Sequence, residues 1–390
     1  MIFLCAFGLS VLAVLALTPA VRSLAKRLSF LDHPSMSKVH LTPTPLMGGL
    51  AVALASLASA AAALALIRCP YSARIVGFMS GGLMVIVLGL ADDANGMRPV
   101  VKLTGQTVAA AVMLLSGGVE GLPIPMLIGF PLALFWMVGL MNAFNFLDNM
   151  DGITAGLAAI ASFGIFSLAL GNGHTNTAIA AIAVAGGALG FLRYNFSPAS
   201  IFLGDAGSLF LGYVVGGLSL RAVAYADAGS PALLLPVLML GYPIFDAFLV
   251  TASRVVEGRD VARGGKDHSS HRLARLGLTP RQTAATIYLI SASLTGAAIY
   301  LSFYHAGRPN LVAVATLAAV VGMAFLGLRL VRVPVPEKAL SMLREMGKRD
   351  LLTEPSDDDL LVLSLPARDL LPEEEHAPAA ERSRETVEAR

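Results

Sequence analysis

The sequence predicts an all-α, polytopic membrane protein with about eleven transmembrane helices, an external N-terminus and a cytoplasmic C-terminus. Three features of the chain support this fold class. Of its 390 residues, 56% are hydrophobic and only 14% are charged, whereas a soluble domain carries about 25% charged residues. Apolar stretches of roughly 17 to 23 residues, long enough to cross a bilayer, follow one another along most of the chain. Lysine and arginine residues are concentrated in alternate connections, as the positive-inside rule expects.

The predicted helices are separated by short polar connections. The first could also be a cleaved signal peptide, but its basic residues Arg22, Lys26 and Arg27 follow the apolar run. That order favours a first transmembrane helix. In chain order the predicted helices lie near residues 1–21, 46–67, 75–91, 101–116, 126–145, 153–171, 177–193, 207–224, 231–252, 283–304 and 311–330.

The orientation in the membrane follows from the basic residues. With the N-terminus outside, only Arg68, Arg74, Arg221 and Arg308 fall in outer connections, and most other basic residues fall in inner ones. The sequence therefore predicts a protein of the inner (plasma) membrane whose inner connections face the cytoplasm.

The chain divides into a transmembrane domain, residues 1–333, and a tail, residues 334–390. Acidic clusters at 357–359 and 373–375 and the scarcity of aromatic residues predict a cytoplasmic, largely disordered tail without a catalytic function. The chain has no basic arm with interleaved aromatic residues, which argues against nucleic-acid binding. Cys5 and Cys69 provide neither a disulfide framework nor a metal site.

Polar motifs gather in the inner connections, where carboxylates beside apolar helices favour a functional role. Asp92 and Asp93 end the third predicted helix. Adjacent carboxylates repel each other unless a cation lies beside them, and a divalent cation serves best. The alternative is a helix end with two solvated acids.

The motif NAFNFLDNMDG places amides and carboxylates at every third position, Asn142, Asn145, Asp148 and Asp151. Side chains with this spacing can converge on one polar ligand where the last turn of the fifth helix tightens. Capping of the helix end by these residues is the alternative, but it accounts for only one or two of them.

The motif FLGDAGS precedes the eighth predicted helix. Its glycines allow close approach of the backbone to a phosphate, and Asp205 offers a hard oxygen ligand for Mg²⁺. An ordinary helix N-cap is the alternative. Lys38 and His40 precede the turn-rich segment PTPLMGG at the start of the second helix.

The basic loop between the ninth and tenth helices contains GGKDHSSHRL. Lys266, His268, His271 and Arg272 form a donor set suited to a diphosphate. The paired histidines could be half of a zinc site, but no other cluster completes it. Asp246 in YPIFDAF lies within the membrane, where we expect either a functional role or a structural pairing with a loop arginine.

These motifs resemble those of the polyprenyl-phosphate N-acetylhexosamine-1-phosphate transferase superfamily, glycosyltransferase family 4. The shared segments, within residues 1–330, are KVHLTPTPLMGG, DD, NAFNFLDNMDG, FLGDAGS, PIFD and DHSSHRL. They are most similar to the branch that starts O-antigen, enterobacterial common antigen and teichoic-acid linkage units. The resemblance implies transfer of a sugar-1-phosphate, such as N-acetylglucosamine-1-phosphate, from a UDP-N-acetylhexosamine to undecaprenyl phosphate, with release of UMP and with Mg²⁺ or Mn²⁺ as cofactor.

The resemblance also implies roles for individual residues. Asp92 would act as base or nucleophile beside the reacting phosphates, and Phe202 would stack on uracil. The catalytic set would be Asp92, Asp93, Asp148, Asp151 and His268; the substrate-binding set Lys38, His40, Asn142, Asn145, Phe202, Lys266, His271 and Arg272; and the metal ligands Asp205 and Asp93.

The chain departs from the family's motifs at two positions. Asn149 stands where the pattern DG-x-DG has its first glycine, and Ser270 stands at the middle histidine of His-x-His-His. A serine hydroxyl can bond to a phosphate but carries no charge, so phosphate binding there depends on the flanking residues.

Other interpretations remain open at this level. The nearest is the phospho-N-acetylmuramoyl-pentapeptide transferase of the same superfamily. A transporter is disfavoured because transporters place polar sites near the membrane midplane, and a catalytically dead scaffold is disfavoured by the full set of carboxylates. The transfer could proceed by one in-line displacement or through an aspartyl-phosphate. A homodimer is one option for the assembly.

Overall fold

The computed structural model describes residues 1–32, 43–70, 72–122, 124–224, 233–256, 258, 265 and 267–304. These residues belong to one compact unit, Met1–Pro34 with His40–Arg332. The predicted helix at 311–330, the tail at 334–390 and the predicted site residues Lys38, His40 and Lys266 lie outside the described residues.

Over the described ranges the protein is all-α apart from one short antiparallel pair of strands, β1 (Leu31–Asp32) and β2 (Thr44–Pro45), in which Leu31 pairs with Pro45. In the part of the chain that the structure describes, eight helices are long and apolar enough to cross a membrane. The helices are α1 (Ile2–Arg27), α2 (Gly48–Leu66), α3 (Ala73–Asn95), α4 (Pro99–Met113, continued by a π-helical turn at Leu114–Gly118), α5 (Met126–Leu147), α6 (Ile153–Gly171), α7 (Thr175–Asn195), α8 (Gly204–Ala222), α9 (Leu234–Met239), α10 (Gly241–Val256), α11 (Ser269–Arg275) and α12 (Pro280–Tyr304).

The predicted all-α membrane fold is confirmed, and every predicted segment up to residue 304 coincides with helical structure. Within the described residues, eight of these ten segments are candidate membrane spans, and those at 207–224 and 231–252 are not. The ninth segment, predicted as one helix over 231–252, is wrong in detail because α9 ends at Met239 and α10 begins at Gly241. Pro243 explains the break: it has no N–H for the Met239 carbonyl, and its ring would clash with that carbonyl in a continuous helix. The loop predicted at 253–282 contains the short helix α11.

Helix α8 lies at the centre of the bundle, in contact with α2, α3, α5, α6 and α7. Nearly all of its residues are buried, including Phe210 and Tyr213. The outer helices instead present large apolar side chains, such as Leu12, Leu127 and Phe135, on their exposed faces. This distribution suits a bundle whose rim faces lipid and whose central helix is sheltered from it.

The N-terminal end of α8 is held by the segment PTPLMGG. The backbone N–H of Gly48 donates to the Phe202 carbonyl at 2.9 Å, and the N–H of Gly49 donates to the Leu203 carbonyl at 2.8 Å. A Cβ atom on Gly49 would lie 2.0 Å from the Cα of Gly207. Only glycine therefore permits this approach, and α2 positions the loop that carries Asp205.

Candidate active site

Four helix ends meet at one end of the bundle and bring together polar side chains from distant parts of the chain. They are the C-terminal ends of α3 and α5 and the N-terminal ends of α4 and α8. Asp92 comes from α3, Lys102 from α4, Asn145 from α5 and Asp205 from α8. The sequence motifs that were predicted to face the cytoplasm thus lie side by side.

Lys102 is the centre of this cluster. Its Nζ lies 2.8 Å from Asp92 Oδ2, 2.7 Å from Asp205 Oδ2 and 3.0 Å from Asn145 Oδ1. An ammonium group has three protons, so all three of its donor positions are used. The lysine therefore neutralises and orients two carboxylates that would otherwise repel each other.

Further hydrogen bonds fix the orientation of the cluster. The Asn145 Nδ2 donates to Asp205 Oδ1 at 2.6 Å and to Ser208 Oγ at 3.0 Å. The backbone N–H of Met97 donates to Asp92 Oδ1 at 2.6 Å. Asp205 remains the more exposed acid, with 30% of its side chain accessible against 9% for Asp92. Asp205 is thus the carboxylate best placed to meet a ligand from outside the bundle.

Asp93 caps the start of α8. Its Oδ1 accepts from the N–H of Asp205 at 2.9 Å and its Oδ2 from the N–H of Ala206 at 3.2 Å. Gly204 has φ of +74°, and a Cβ there would meet Asp93 Oδ2 at 2.7 Å. Asp93, which was predicted to be catalytic and to bind metal, thus binds the backbone N–H groups at the start of α8 and stabilises the helix N-terminus.

Asp148 follows the last turn of α5. Burial, and then the negative charges of Asp205, Asp93 and Asp151, raise the pKa of Asp148 to about 8. The buried position and the neighbouring carboxylates thus oppose ionisation of this carboxyl group.

The turn from α5 to α6 is held by three other elements. Asp151 Oδ2 accepts from the N–H of Ala199 at 2.9 Å. The N–H of Gly152, which has φ of +81°, donates to Asn195 Oδ1 at 3.1 Å, and its carbonyl accepts from the Tyr288 hydroxyl at 2.6 Å. The structure thus gives the predicted catalytic Asp151 a hydrogen bond that orders the neighbouring loop.

Asn142 lies deeper in the bundle than the cluster. Its Nδ2 donates to Gln106 Oε1 at 2.7 Å and to the Val138 carbonyl at 2.8 Å. The predicted convergence of four residues spaced by three is therefore not observed for Asn142, because its amide is engaged with α4 and with its own helix.

Helix α11 carries the histidine motif and is anchored mainly to α10. The buried Asp246 accepts from His268 Nδ1 at 2.8 Å and from the N–H of Ser269 at 2.7 Å. The structure thus pairs Asp246 with His268 and Ser269 rather than with the loop arginine that was one of the two alternatives. The Nδ1 proton of His268, held by the carboxylate, leaves Nε2 for other partners.

Two arginines, Arg254 in α10 and Arg272 in α11, help to attach α11 to α10. Arg254 forms two hydrogen bonds with Asp267, at 2.9 and 2.7 Å. Although burial raises the pKa of Asp267, Arg254 outweighs it and lowers that pKa to about 2. Arg272 donates to the Asp267 carbonyl at 2.8 Å and to Ser253 Oγ at 3.1 Å. Arg272, which was predicted to bind substrate, thus hydrogen-bonds to the residue before the histidine motif and to α10.

Two more contacts place α11 beside the end of α5. The rings of His268 and Phe146 pack edge to face with centroids 6.3 Å apart, and the rings of His268 and His271 lie 6.0 Å apart. Ser270 donates to Asn149 Oδ1 at 2.7 Å.

Phe202, the residue expected to stack on uracil, is half-buried before α8, and its N–H donates to the Pro45 carbonyl at 2.8 Å.

Lys102 is the main residue that the sequence analysis did not assign to the site. By its position in the sequence, Lys102 is one of the inner basic residues that predict the orientation. A signal for it exists in the sequence: a lysine within an apolar helix is costly and usually has a partner or a function. Its partner could not be identified from the sequence because Asp205 is separated from it by 103 positions.

The donor set is compatible with a divalent cation. Among the described residues, no group of three or more His, Cys, Asp or Glu side chains forms a metal cage. Mg²⁺, however, usually takes one or two protein carboxylates and completes its shell with substrate phosphates and water. Asp92 and Asp205 already converge on one cationic nitrogen, so the same pair fits this requirement.

Comparison with known proteins gives a consistent result. Residues 75–223 match the model of glycosyl transferase family 4. The probable undecaprenyl-phosphate N-acetylglucosaminyl 1-phosphate transferase of Bacillus subtilis is 35% identical over 306 residues, covering 76% of this chain and 84% of that protein. The decaprenyl-phosphate N-acetylglucosaminephosphotransferase of Mycolicibacterium smegmatis is 33% identical, covering 77% and 82%. The phospho-N-acetylmuramoyl-pentapeptide-transferase of Desulforudis audaxviator is 35% identical but covers 56% of this chain and 75% of that protein.

Proposed function

This chain belongs to glycosyl transferase family 4, and from that premise we propose that it transfers an N-acetylhexosamine-1-phosphate from a UDP-sugar to undecaprenyl phosphate. The sugar we expect is N-acetylglucosamine. The reaction releases UMP and leaves a lipid-linked diphosphate sugar, the first intermediate of a cell-envelope glycan. The site lies on the cytoplasmic face of the inner membrane.

The cluster of Asp92, Asp205, Lys102 and Asn145 is the observation that carries this proposal. It combines hard oxygen ligands with a fixed positive charge at the end of a bundle of apolar helices. Such a site suits a diphosphate whose acceptor has a membrane-embedded tail, because one partner is polar and the other is held by lipid.

The reaction is an in-line displacement at the sugar-bearing phosphorus. An oxygen of the polyprenyl phosphate forms a new P–O bond to that phosphorus. The bond from the phosphorus to the bridging oxygen breaks, and UMP leaves with that oxygen. A phosphate monoester has its second pKa near 6, so the nucleophile is largely deprotonated at cytoplasmic pH.

The residues of the cluster have complementary roles in this step. Asp205 and Asp92 would hold Mg²⁺, which supplies positive charge to the diphosphate oxygens when bound. Lys102 keeps both carboxylates oriented and adds a charge that does not depend on the ion. Asn145 fixes the Asp205 rotamer, and Asp148, at the end of the same helix, would be a polar contact for the bound donor.

Asp92 acts mainly by orientation in this proposal. One of its oxygens accepts from Met97 and the other from Lys102, which favours that role over nucleophilic attack. His268, held by Asp246, provides a second group for the phosphates, and Phe202 provides a ring for uracil. The rival double displacement would form an aspartyl-phosphate; incubation with β-phosphate-labelled UDP-sugar without acceptor would leave the protein labelled only under that rival.

The phospho-N-acetylmuramoyl-pentapeptide transferase remains the second candidate. It is a member of the same family, but the similarity to that protein covers a smaller part of this chain. The HSSH motif and the segment KVHLTPTP also favour the N-acetylglucosamine branch.

The test is a turnover assay on the purified full chain with undecaprenyl phosphate and a panel of UDP-sugars, scored by UMP release with and without Mg²⁺. We expect UMP from UDP-N-acetylglucosamine and none without lipid acceptor. UMP only from UDP-N-acetylmuramoyl-pentapeptide would support the second candidate. No UMP from any donor would overturn the proposed function.

A further inference from the structure

The two residues at which the chain departs from the family's motifs contact each other. The hydroxyl of Ser270 lies 2.7 Å from Asn149 Oδ1. The Asn149 Nδ2 donates to the Phe146 carbonyl at 2.8 Å. The second bond determines which end of the amide faces Ser270, because the amide nitrogen donates and the amide oxygen accepts.

This geometry decides what the Ser270 hydroxyl can do. A hydroxyl group has one proton to donate, and Ser270 gives it to Asn149. Ser270 is also fully buried, with 0% of its surface accessible. Its oxygen retains only acceptor capacity, which an unprotonated phosphate oxygen cannot use. Phosphate binding by this hydroxyl, which the motif alone allows, is therefore disfavoured.

We propose that Asn149 and Ser270 form a single positioning pair, in which one hydrogen bond docks the histidine helix α11 onto the turn after α5. The anchors at Asp246 and Arg254 attach this region to α10. The Asn149–Ser270 bond attaches it to the turn that carries Asp148. The pair thereby sets the position of His268 relative to the carboxylate cluster.

We therefore expect substitutions at positions 149 and 270 to be tolerated in combination and to be harmful singly. Without the Asn149 side chain, the buried hydroxyl of Ser270 loses its acceptor, which is unfavourable. An imidazole at position 270 would overlap the Asn149 amide, which lies 2.7 Å from the Ser270 hydroxyl. Asn149→Gly combined with Ser270→His removes the amide and puts an imidazole in the space it leaves.

A double-mutant cycle tests this proposal, which rests on the proposed function for its activity readout. Asn149→Gly and Ser270→His would be made singly and together in the full chain, and kcat, KM for UDP-N-acetylglucosamine and melting temperature measured. We expect each single change to lower kcat about ten-fold. The double variant should return to within about three-fold of wild type, which is a coupling typical of residues in contact. KM should change less than kcat.

Two further variants separate positioning from folding. Ser270→Thr keeps the hydroxyl and should keep most of the activity. Ser167→Ala, which removes a hydroxyl bonded only to the Phe163 carbonyl of its own helix α6, should behave like wild type. Additive losses in kcat in the double variant, or coupling in melting temperature without coupling in kcat, would overturn the proposal.

The two failures are distinguishable. If the wild-type protein releases no UMP from any donor, the proposed function fails. The melting temperatures then test only the docking contact: coupling between positions 149 and 270 supports the contact of α11 with the turn after α5, and additivity contradicts it.

Discussion

At the scale of single residues, the cluster depends on a lysine placed between two acids. Lys102 uses its three donors for Asp92, Asp205 and Asn145. Its compact ammonium group can approach three acceptors that converge on one point. The planar fork of an arginine has a different geometry and cannot reproduce that arrangement.

Replacing Lys102 tests this role. We expect Lys102→Met to lower kcat by about 100-fold or more, the usual cost of removing a preorganised charge at a reacting centre. Lys102→Arg should be intermediate. Thr104→Ala on the same helix is the matched control, because the Thr104 hydroxyl bonds only to the Val100 carbonyl. Wild-type turnover in Lys102→Met, measured as UMP release, would remove this residue from the mechanism.

A second residue-scale prediction concerns the buried pair of Asp267 and Arg254. Asp267→Asn leaves Arg254 buried without its carboxylate, and breaking such a pair typically costs about 3–5 kcal/mol. The exposed pair of Arg74 and Glu120 is the comparison, and Arg74→Gln should cost less than about 1 kcal/mol. Melting temperatures in the same detergent would reveal the difference.

The pH dependence of this pair follows from the lowered pKa of Asp267, about 2 in the folded protein. A depressed carboxyl pKa contributes stability above the ordinary value of about 3.9, and that stability is lost as the pH falls toward 2. The difference in melting temperature between wild type and Asp267→Asn should therefore be constant from about pH 8 to pH 5. A difference that disappears near pH 6 would contradict this assignment.

At the scale of elements, the close packing of α2 on α8 determines where Asp205 lies. Gly49 and Gly207 bring the two backbones together, and the N–H groups of α2 donate to the carbonyls that precede Asp205. Small residues allow this approach in a membrane, where van der Waals contact replaces the hydrophobic effect as the main attraction.

Gly49→Ala should separate these helices. The added methyl group would overlap Gly207, so we expect a loss of turnover of about ten-fold or more together with a lower melting temperature. Gly139→Ala in α5 is the control, because a Cβ there meets no atom within 4 Å. Equal activity in the two variants would show that the contact does not position the site.

The sequence predicted the elements better than the partners of their side chains. Hydrophobic length located the helices, and the motifs located Asp92, Asn145 and Asp205, because both signals are local. The break at Leu240 was missed because a proline inside an apolar stretch can end a helix or only kink it. The spacing grouped Asn142 with Asn145, but spacing alone does not show that Gln106 on α4 engages the Asn142 amide.

At the scale of the whole molecule, the orientation in the membrane is open to a direct test. In a background with Cys5→Ser and Cys69→Ser, Leu276→Cys lies beyond α11 on the site face and Ile67→Cys lies at the opposite end of α2. Both positions are exposed. We expect a membrane-impermeant thiol reagent added to intact cells to label position 67 and to spare position 276. The reverse result would put the site outside the cell.

Removal of divalent cations gives a second prediction for the whole enzyme. A chelator should abolish UMP release, and Mg²⁺ or Mn²⁺ should restore it. The reason is that Asp92 and Asp205 are negatively charged and repel a diphosphate unless a cation lies between them. Undiminished turnover in the chelator would exclude a divalent cation from the reaction.

The separation of Lys102 and Asp205 along the chain has a consequence for biosynthesis. Asp92 and Lys102 are made almost together, so they can pair as soon as α3 and α4 enter the membrane. Asp205 follows Lys102 by 103 residues, a delay of about 5–20 s at ordinary rates of translation. A nascent chain that stops before α8 therefore contains three of the four cluster residues, Asp92, Lys102 and Asn145, and the cluster is complete only when Asp205 has been added.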